Sequence, residues 1–285
     1  MCYADVTDRI ARARAEWEAT RDISAIRASF DALFATPGTQ PATSEKLGGL
    51  PALRIGAGTG TPVLYFHGGG FQIGSMDSHR GIMEQVAAQS GRPVLGIDYP
   101  LSPEHRFPVA IEAALTAYAA LQSQGCGTVS LAGDSAGANM ALAVFQLARA
   151  RGIALPDRIV LISPWFDLAL SGESYDSRQK VDIFSTPAAL RAMARSYLGR
   201  AGDPGDPLAS PVAMTDFTRL PPVLIHVGDS DITLSDSQTF ANRARSAGAA
   251  VTLRVWPGMF HHFQMFPELP ESGESLDDIG VFLRN

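Results

Sequence analysis

The alternation of short apolar segments with helical segments restricts the fold of this chain more than any other feature. From Pro62 onward, runs of β-branched and apolar residues are separated by segments with helical periodicity. Apolar strands separated by helices are typical of a parallel sheet that is covered by helices on both faces. The sequence therefore predicts an α/β fold. Strands are predicted at residues 63–66, 94–97, 129–132, 159–162, 223–227 and 251–255, and helices at residues 79–90, 109–122, 136–151 and 236–247.

Two segments fall outside this alternation. Residues 1–34 have helical spacing, and residues 165–206 have helical character with an exit rich in glycine and proline. An insertion that follows the carboxyl end of a strand lies on the side where α/β sheets bind ligands. We therefore predict that residues 1–285 form a single domain. Its predicted parts are a cap of residues 1–40 and 165–206, over a core of residues 44–164 and 207–285.

Composition and charge argue against several kinds of partner. A net charge of −6 without a Lys/Arg cluster argues against nucleic acid binding. No apolar run approaches the roughly 20 residues of a membrane span, and the N-terminus lacks the pattern of a secretory signal. Cys2 and Cys126 are too few for a disulfide framework and lack metal-ligand spacing, so we expect unpaired thiols. The expectation is a cytoplasmic protein without a metal, membrane or nucleic acid partner.

A serine lies between two glycines where a predicted strand becomes a predicted helix. Residues 133–137 read GDSAG, and an alanine-rich helical pattern follows at once. A G-x-S-x-G sequence is a weak motif alone, but a strand before it and a helix after it favour an exposed nucleophile. The tight turn strains the serine backbone, and the helix N-terminus favours developing negative charge. We interpret Ser135 as a nucleophile; the alternative is a glycine-rich turn with an incidental serine.

A serine hydroxyl needs a base that accepts its proton and a third group that orients that base. Two histidines, His261 and His262, follow the last predicted strand and so lie at the same sheet edge as Ser135. We favour His261 as the base and keep His262 as the alternative. Structural roles are predicted for His79, His105 and His226.

Three carboxylates follow the predicted strand at residues 223–227, and each is a candidate for the third group. We favour Asp231 and keep Asp229 as the alternative. Asp236 has a different interpretation, because it stands where the next helix is predicted to begin and Asp is a common N-cap residue.

A glycine-rich segment, HGGGF at residues 67–71, follows the strand predicted at residues 63–66. Acyl transfer produces an oxyanion, and losing one preorganised donor to it costs about 3 kcal/mol of barrier. Glycines let backbone amides approach such an oxygen closely, so we predict that the N–H groups of Gly68, Gly69 and Ala136 form an oxyanion hole. A phosphate-binding loop is less favoured because neither the P-loop nor the dinucleotide motif is present.

Together these motifs resemble the bacterial hormone-sensitive-lipase family of α/β-hydrolases, which includes many microbial carboxylesterases. The resemblance extends from about residue 62 to residue 263 and includes the HGGGF and GDSAG segments. The other matching segments are DYPLSPEHRFP at 98–108, LISPWFDL at 161–168, DPLASP at 206–211, LPPVLIHVGDSDITLSDS at 220–237 and WPGMFHHF at 256–263.

The resemblance implies an α/β-hydrolase fold with a mostly parallel eight-stranded sheet, helices on both faces and a helical cap. It implies that Ser135, Asp231 and His261 are the catalytic residues. The chain departs from the usual family pattern at Pro100, where Arg is common, and at His262, where Gly or Val is common. It further implies that Glu104 is a buried structural residue and that its segment braces the loops around the site.

The resemblance also implies a carboxylesterase that hydrolyses short- to medium-chain esters through an acyl-enzyme, without a cofactor. A lactone hydrolase of the ε-lactone type is the alternative, and an amide hydrolase or a non-catalytic receptor on the same scaffold is less favoured. Assembly as a homodimer through edge strands is an option that the family offers. Candidate pocket residues, which are equally suited to filling the cap core, are Phe71, Trp165, Phe166, Phe184, Met193, Tyr197 and Phe260.

Overall fold

The computed structural model describes residues 3–58, 60–125 and 127–284, and its centre is an eight-stranded sheet. Cys2 and Cys126, with their predicted free thiols, lie outside the described residues. The strand order is β1-β2-β4-β3-β5-β6-β7-β8. The strands are β1 (Ala42–Leu47), β2 (Leu50–Ile55), β3 (Val63–Phe66), β4 (Val94–Ile97), β5 (Ser130–Asp134), β6 (Ile159–Ile162), β7 (Val223–Gly228) and β8 (Val251–Trp256).

The sheet is parallel from β4 through β8, and it is antiparallel only where β1 pairs with β2 and β2 pairs with β4. The strands predicted from the alternation are all present, with ends shifted by at most two residues. The parallel strands β5, β7 and β8 therefore end at one edge of the sheet, where their loops meet. The α/β prediction and the eight-stranded, mostly parallel sheet are confirmed.

Helices cover both faces of the sheet. Side chains alternate between the two faces along each strand, so each buried strand contributes to an apolar core on either side. Leu64 and Phe66 belong to one apolar core, and Val63 and Tyr65 belong to the other. The helices are α1 (Tyr3–Ala19), α2 (Ile23–Phe34), α3 (Arg80–Ser90), α4 (Val109–Ser123), α5 (Ala136–Ala150), α6 (Ser174–Ser177), α7 (Pro187–Leu198), α8 (Leu234–Ser246) and α9 (Pro270–Arg284). None of the helices in the described parts of the chain is long and apolar enough to cross a membrane.

Two local predictions differ from the structure. The helical pattern at residues 1–34 is interrupted, because the Asp22 side chain accepts the Ser24 N–H at 2.9 Å and begins α2 there. Asp236 does not cap α8, since that helix begins two residues earlier at Leu234. The Asp236 carboxylate instead accepts the backbone N–H groups of Phe166 and Asp167 at 2.8 and 2.9 Å.

Candidate active site

Ser135 lies in a strained turn between β5 and α5. Its φ of 50° and ψ of −115° fall outside the regions that side chains favour, and such strain costs on the order of 1–3 kcal/mol. The turn is close-packed: a Cβ on Gly137 would lie 1.9 Å from the carbonyl oxygen of Phe66. The Ser135 N–H donates to the carbonyl oxygen of Ile162 at 2.9 Å, which ties the turn to β6. Position 137, two residues after the serine, therefore has no room for a side chain and requires glycine.

The three side chains that the sequence predicts as a catalytic group are in contact. The Oγ of Ser135 lies 3.0 Å from Nε2 of His261. The Nδ1 of the same imidazole lies 2.9 and 3.0 Å from the two carboxylate oxygens of Asp231. With the proton on Nδ1 donated to Asp231, Nε2 has a lone pair for the serine hydroxyl. This arrangement can remove the proton from Ser135.

The electrostatics of this group favour an imidazolium stabilised by a carboxylate. Burial alone lowers the pKa of His261, but the Asp231 charge and hydrogen bond outweigh it, and the pKa is raised above its usual value. Burial raises the pKa of Asp231, whereas His261 lowers it, and the net pKa is below its usual value. The Thr233 N–H and hydroxyl donate to Asp231 at 2.8 and 2.9 Å and hold it in place.

The alternatives from the sequence do not contact the serine in this way. The Asp229 carboxylate accepts the N–H of Gly258 at 2.8 Å and faces that turn. The Nδ1 of His262 lies 3.1 Å from an oxygen of Asp134 in a poor hydrogen-bond direction, so it has no hydrogen-bond partner within the described residues. Burial and the neighbouring His261 lower the pKa of His262 to about 3, which keeps its ring neutral.

A second buried polar cluster lies directly behind the serine and is centred on Asp134. One oxygen of Asp134 accepts the Tyr65 hydroxyl at 2.8 Å and the Gly68 N–H at 3.0 Å. The other lies 3.3 Å from Nε2 of His79, next to the His262 contact. We call Asp134, Tyr65, Gly68, His79 and His262 the Asp134 cluster. This cluster was not predicted from the sequence, although Asp134 belongs to the GDSAG motif and Gly68 to the HGGGF motif.

The structure corrects the predicted oxyanion donors at Gly68. Its N–H already donates to Asp134, and a Cβ at this position would lie 2.1 Å from that carboxylate. Gly69 and Gly70, by contrast, border the cavity in front of Ser135. The N–H groups of Gly69, Gly70 and Ala136 have no hydrogen-bond partner in the described parts of the chain. The signal for Gly70 was present in the HGGGF motif, but the motif does not say which amide faces inward.

A cavity of about 430 Å³ opens in front of Ser135 and His261. Helices α1, α2 and α7 and the Gly69–Gly70 loop surround it, so both predicted cap segments border the site. Most of the lining is apolar. The apolar and aromatic side chains that line it are Trp17, Ile23, Ile26, Phe30, Ile73, Phe184, Leu190 and Met193.

Of the predicted pocket residues, only Phe184 and Met193 line this cavity. Phe71 and Tyr197 are instead stacked on each other, with ring centroids 3.9 Å apart, and both are fully buried. Trp165 packs beside Phe71, and its indole N–H donates to the Asp167 carbonyl at 3.1 Å. The fully buried residues that fill the core instead of the cavity are Phe71, Trp165, Phe166, Tyr197 and Phe260.

The segment around Glu104 braces the site, but in a different way from the prediction. The Glu104 side chain is 48% exposed, so it is not buried. It accepts two hydrogen bonds from Arg27 of α2 at 2.9 and 2.8 Å. Arg27 also donates to the carbonyl oxygens of Gln72 and Ser102, at 2.8 and 3.0 Å. The bidentate pair thus joins α2 to the loop after β4 and to the end of the glycine loop.

The remaining predicted residues are structural in their surroundings. His226 is buried, with its ring nitrogens 2.7 Å from the Ser275 hydroxyl and 3.2 Å from the Asp278 carboxylate. His105 is exposed. The Asp98 carboxylate accepts the Met76 N–H at 2.8 Å.

Two groups of side chains have the donor types that bind metal ions. Each group has its ligand atoms within 4.8 Å of one another. One group is His79, Asp134 and His262, and the other is Asp182, Asp231 and His261. In both, the carboxylates already accept hydrogen bonds from protein groups. That the protein works without a metal stays a prediction.

The comparisons with known proteins agree with this geometry. Residues 63–265 match the family described as having the alpha/beta hydrolase fold. An acetyl-hydrolase of Streptomyces hygroscopicus is 44% identical over 228 residues, which cover 79% of this chain and 76% of that protein. An esterase of Acinetobacter venetianus is 39% identical over 77% of this chain and 73% of its own length.

A solved structure extends the likeness over the whole fold. An esterase from the bacterial hormone-sensitive lipase family superposes with a TM-score of 0.92 and 34% identity, over 100% of this chain and 99% of that chain. The family match covers most of the sheet as well as the loops of Ser135, Asp231 and His261. The chain therefore belongs to the α/β-hydrolase fold family and, within it, to the bacterial hormone-sensitive lipase family.

Proposed function

We propose that this protein is a serine carboxylesterase that hydrolyses esters of short to medium chain length. The observation that supports it most strongly is the unbroken contact from Ser135 through His261 to Asp231, at 3.0 and 2.9 Å. The names of the relatives, acetyl-hydrolase and esterase, point to the same reaction class. The contact borders an apolar cavity, where an acyl or alcohol group can be bound away from water.

The mechanism has two steps that use the same histidine. His261 accepts the Ser135 proton at Nε2 while Oγ forms a bond to the ester carbonyl carbon, and Asp231 stabilises the imidazolium. The tetrahedral intermediate then breaks its bond to the alkoxy oxygen, which leaves as the alcohol with the proton from Nε2. Water then gives a proton to Nε2 of His261 while its oxygen forms a bond to the acyl carbon. The second tetrahedral intermediate breaks its bond to Oγ, which takes the proton back from Nε2, so that Ser135 is regenerated and the carboxylic acid is released.

The oxyanion of both intermediates needs donors that are already in place. We assign this role to the N–H groups of Gly69, Gly70 and Ala136, which have no hydrogen-bond partner among the described residues. Gly69 and Gly70 have φ values of 109° and 60°, conformations that glycine adopts readily. Each such donor contributes on the order of 3 kcal/mol of barrier lowering.

The substrate range follows from the size of the cavity. A volume of about 430 Å³ with a mostly apolar lining suits small to medium esters. A lactone would use the same three residues, because ring opening forms the same acyl-enzyme. We further infer that residues 1–40 and 165–206 act as a cap on a single domain, since both segments contribute side chains to the lining. A cytoplasmic location and a homodimer stay predictions.

The exchange Ser135→Ala tests this function. We expect it to abolish the hydrolysis of p-nitrophenyl esters with acyl chains of about two to ten carbons, a range suited to a cavity of this size. Hydrolysis of lactones assayed beside them should also be lost, while the far-UV circular dichroism spectrum is unchanged. A fluorophosphonate should label the unaltered protein at Ser135 and leave the variant unlabelled.

Ser230→Ala is the matched control, because Ser230 lies beside Asp231 but its hydroxyl, within the described residues, donates only to Asp229, at 3.1 Å. This variant should keep its activity and its labelling. If Ser135→Ala retained most of its activity, the proposed mechanism would be wrong.

A further inference from the structure

Another buried carboxylate, that of Asp182, joins the cap to the loop of the catalytic group. Its side chain is buried in the segment between α6 and α7. One carboxylate oxygen accepts the backbone N–H groups of Phe184 and Ser185 at 2.8 and 3.1 Å. The other accepts the N–H of Ile232, the residue after Asp231, at 3.0 Å. One side chain thus fixes two segments that are about fifty residues apart in the sequence.

The same carboxylate lies next to the catalytic pair. Ligand atoms of Asp182, Asp231 and His261 all lie within 4.8 Å of one another, and all three side chains are buried. Burial and the negative charge of Asp231 raise the pKa of Asp182 to about 6. The charges of Asp231 and Asp182 both favour the protonated form of His261, against the effect of burial. The imidazole therefore has two carboxylates near it.

The segment that Asp182 holds also forms part of the substrate cavity. Phe184 and Ser185 both line it, and the Phe184 ring lies 6.2 Å from the His261 ring and 5.3 Å from the His262 ring. Three backbone N–H groups fix the orientation of the Asp182 carboxylate, because two of them donate to one oxygen and the third donates to the other. Movement of Asp182 would therefore move a wall of the cavity and the loop of Asp231 together.

We propose that Asp182 is a positioning residue that anchors the cap segment to the Asp231 loop and provides a second negative charge to stabilise the His261 imidazolium. This role rests on the proposed ester hydrolysis and adds to it an electrostatic contribution from the cap. The other titratable and charged groups near the pair are Asp134 and His262 behind the site, Tyr3 of α1, and Arg14, which donates to the Ile183 carbonyl at 3.1 Å.

The charge has a direction that an experiment can measure. His261 must be neutral to accept the Ser135 proton, so activity falls as the pH drops through its pKa. The Asp182 charge raises that pKa. Replacing Asp182 by Asn removes the charge, lowers the pKa of His261 and moves the acid limb of kcat/KM to lower pH. The imidazolium formed in the transition state also loses a stabilising charge, so kcat falls at the optimum.

The test measures kcat and KM against pH for Asp182→Asn. We expect the acid limb to move down by roughly 0.5–1 pH unit and kcat at the optimum to fall by about tenfold. Asp182→Glu, which keeps the charge, should restore the position of the acid limb even if the longer side chain lowers kcat. Asp176→Asn is the matched control, because it removes an exposed carboxylate from α6 and should leave both quantities unchanged.

An acid limb that stays in place or moves up in Asp182→Asn would overturn the proposal and leave Asp182 a structural tether only. If that variant does not fold, the unaltered protein provides the test through NMR. The imidazole resonances of His261 should then shift as the Asp182 carboxyl group titrates, which is followed through its carbon resonance. If the two groups titrated independently, the proposal would be overturned. Failure of the ester mechanism itself is distinguishable, because it would appear as activity that persists in Ser135→Ala.

Discussion

Two clusters of histidine and aspartate lie side by side at the end of the sheet, and only one contacts the serine. The first consists of His261 and Asp231 with Ser135, and the second is the Asp134 cluster with His262. They are adjacent in the sequence, because Asp134 precedes Ser135 and His262 follows His261. Residue type and burial are therefore nearly the same in the two clusters, and the difference lies in geometry and charge.

The two imidazoles have opposite pKa shifts for a reason that the contacts explain. His261 donates to an ionised carboxylate through a well-directed bond, and its pKa is raised despite burial. Burial and the neighbouring His261 lower the pKa of His262 to about 3, because its contact with Asp134 is poorly directed and does not offset them. The Asp134 carboxylate is already bonded to Tyr65 and the glycine loop. One cluster can thus accept a proton during a reaction, whereas the other fixes the backbone.

The largest effect expected from this comparison is the difference between variants of the two adjacent histidines. His261→Ala should lower kcat/KM by about 10⁴-fold, because among the described residues only His261 forms a side-chain hydrogen bond to the Ser135 hydroxyl and can accept its proton. His262→Asn should lower it by less than about tenfold, since Asn tolerates the left-handed backbone at this position, where φ is 62°. Steady-state kinetics with p-nitrophenyl acetate measure both.

Both variants should keep a thermal unfolding transition, which shows that the kinetic difference does not come from misfolding. Equal losses in the two variants would mean that the imidazoles share the role of base, and the distinction between the clusters would be wrong. Addition of free imidazole should restore part of the activity of His261→Ala alone.

A smaller effect is expected when the centre of the second cluster is changed. In Asp134→Asn one carboxylate oxygen becomes an amide donor, while the Tyr65 hydroxyl, the Gly68 N–H and two imidazoles remain around it. A buried donor without an acceptor costs about 1–3 kcal/mol, so urea unfolding should show a loss in that range. The glycine loop shifts with it, and kcat should fall by roughly 10–100-fold.

Tyr65→Phe is the control for this prediction. It removes one hydrogen bond to Asp134 but leaves the Gly68 contact, so it should cost about 1 kcal/mol of stability and keep kcat within about twofold of the unaltered protein. If Tyr65→Phe lowered kcat as much as Asp134→Asn, the Gly68 contact would not be what places the oxyanion donors.

The sequence predicted the first cluster but not the second, for a physical reason. Ser135, Asp231 and His261 each follow a parallel strand, and the carboxyl ends of parallel strands share one edge. The positions of the three residues along the chain thus determine their approximate positions in space. The Asp134 cluster has no such rule, because it depends on which way side chains and amides point within a turn. The Gly68 assignment was wrong for this reason.

Most of the predicted pocket residues were wrong for a different reason. Aromatic side chains that line a cavity and those that fill a core have the same hydrophobicity, so only packing separates Phe184 from Phe71 and Tyr197. Strands β1 and β2 were both missed, because most residues of β1 are exposed and β2 alternates between buried and more exposed residues, so neither gives a continuous apolar run. Asp182 gave no sequence signal either, since the partners that define its role lie in two distant segments.

The final prediction concerns the pH dependence of stability and separates the clusters by their protonation in the folded state. The pKa of His262 is about 3 in the folded protein, against about 6.5 in an unfolded chain. The unfolded state therefore binds the extra proton first, and the free energy of unfolding decreases as the pH falls from about 6.5 towards about 3. One such group contributes a slope of about 1.4 kcal/mol per pH unit. His67, whose pKa is also about 3, acts in the same direction.

Replacing His262 by Asn removes one of these two groups and isolates its contribution. Urea unfolding at a series of pH values from about 6 to about 4 should give a slope that is smaller by up to about one proton in His262→Asn. His105→Asn is the control, because His105 is exposed and lies outside the Asp134 cluster, so its replacement should change the slope less than that of His262. If His262→Asn kept the full slope, the ring would be protonated in the folded state, and the Asp134 cluster would then hold a charged imidazole as the catalytic cluster does during the reaction.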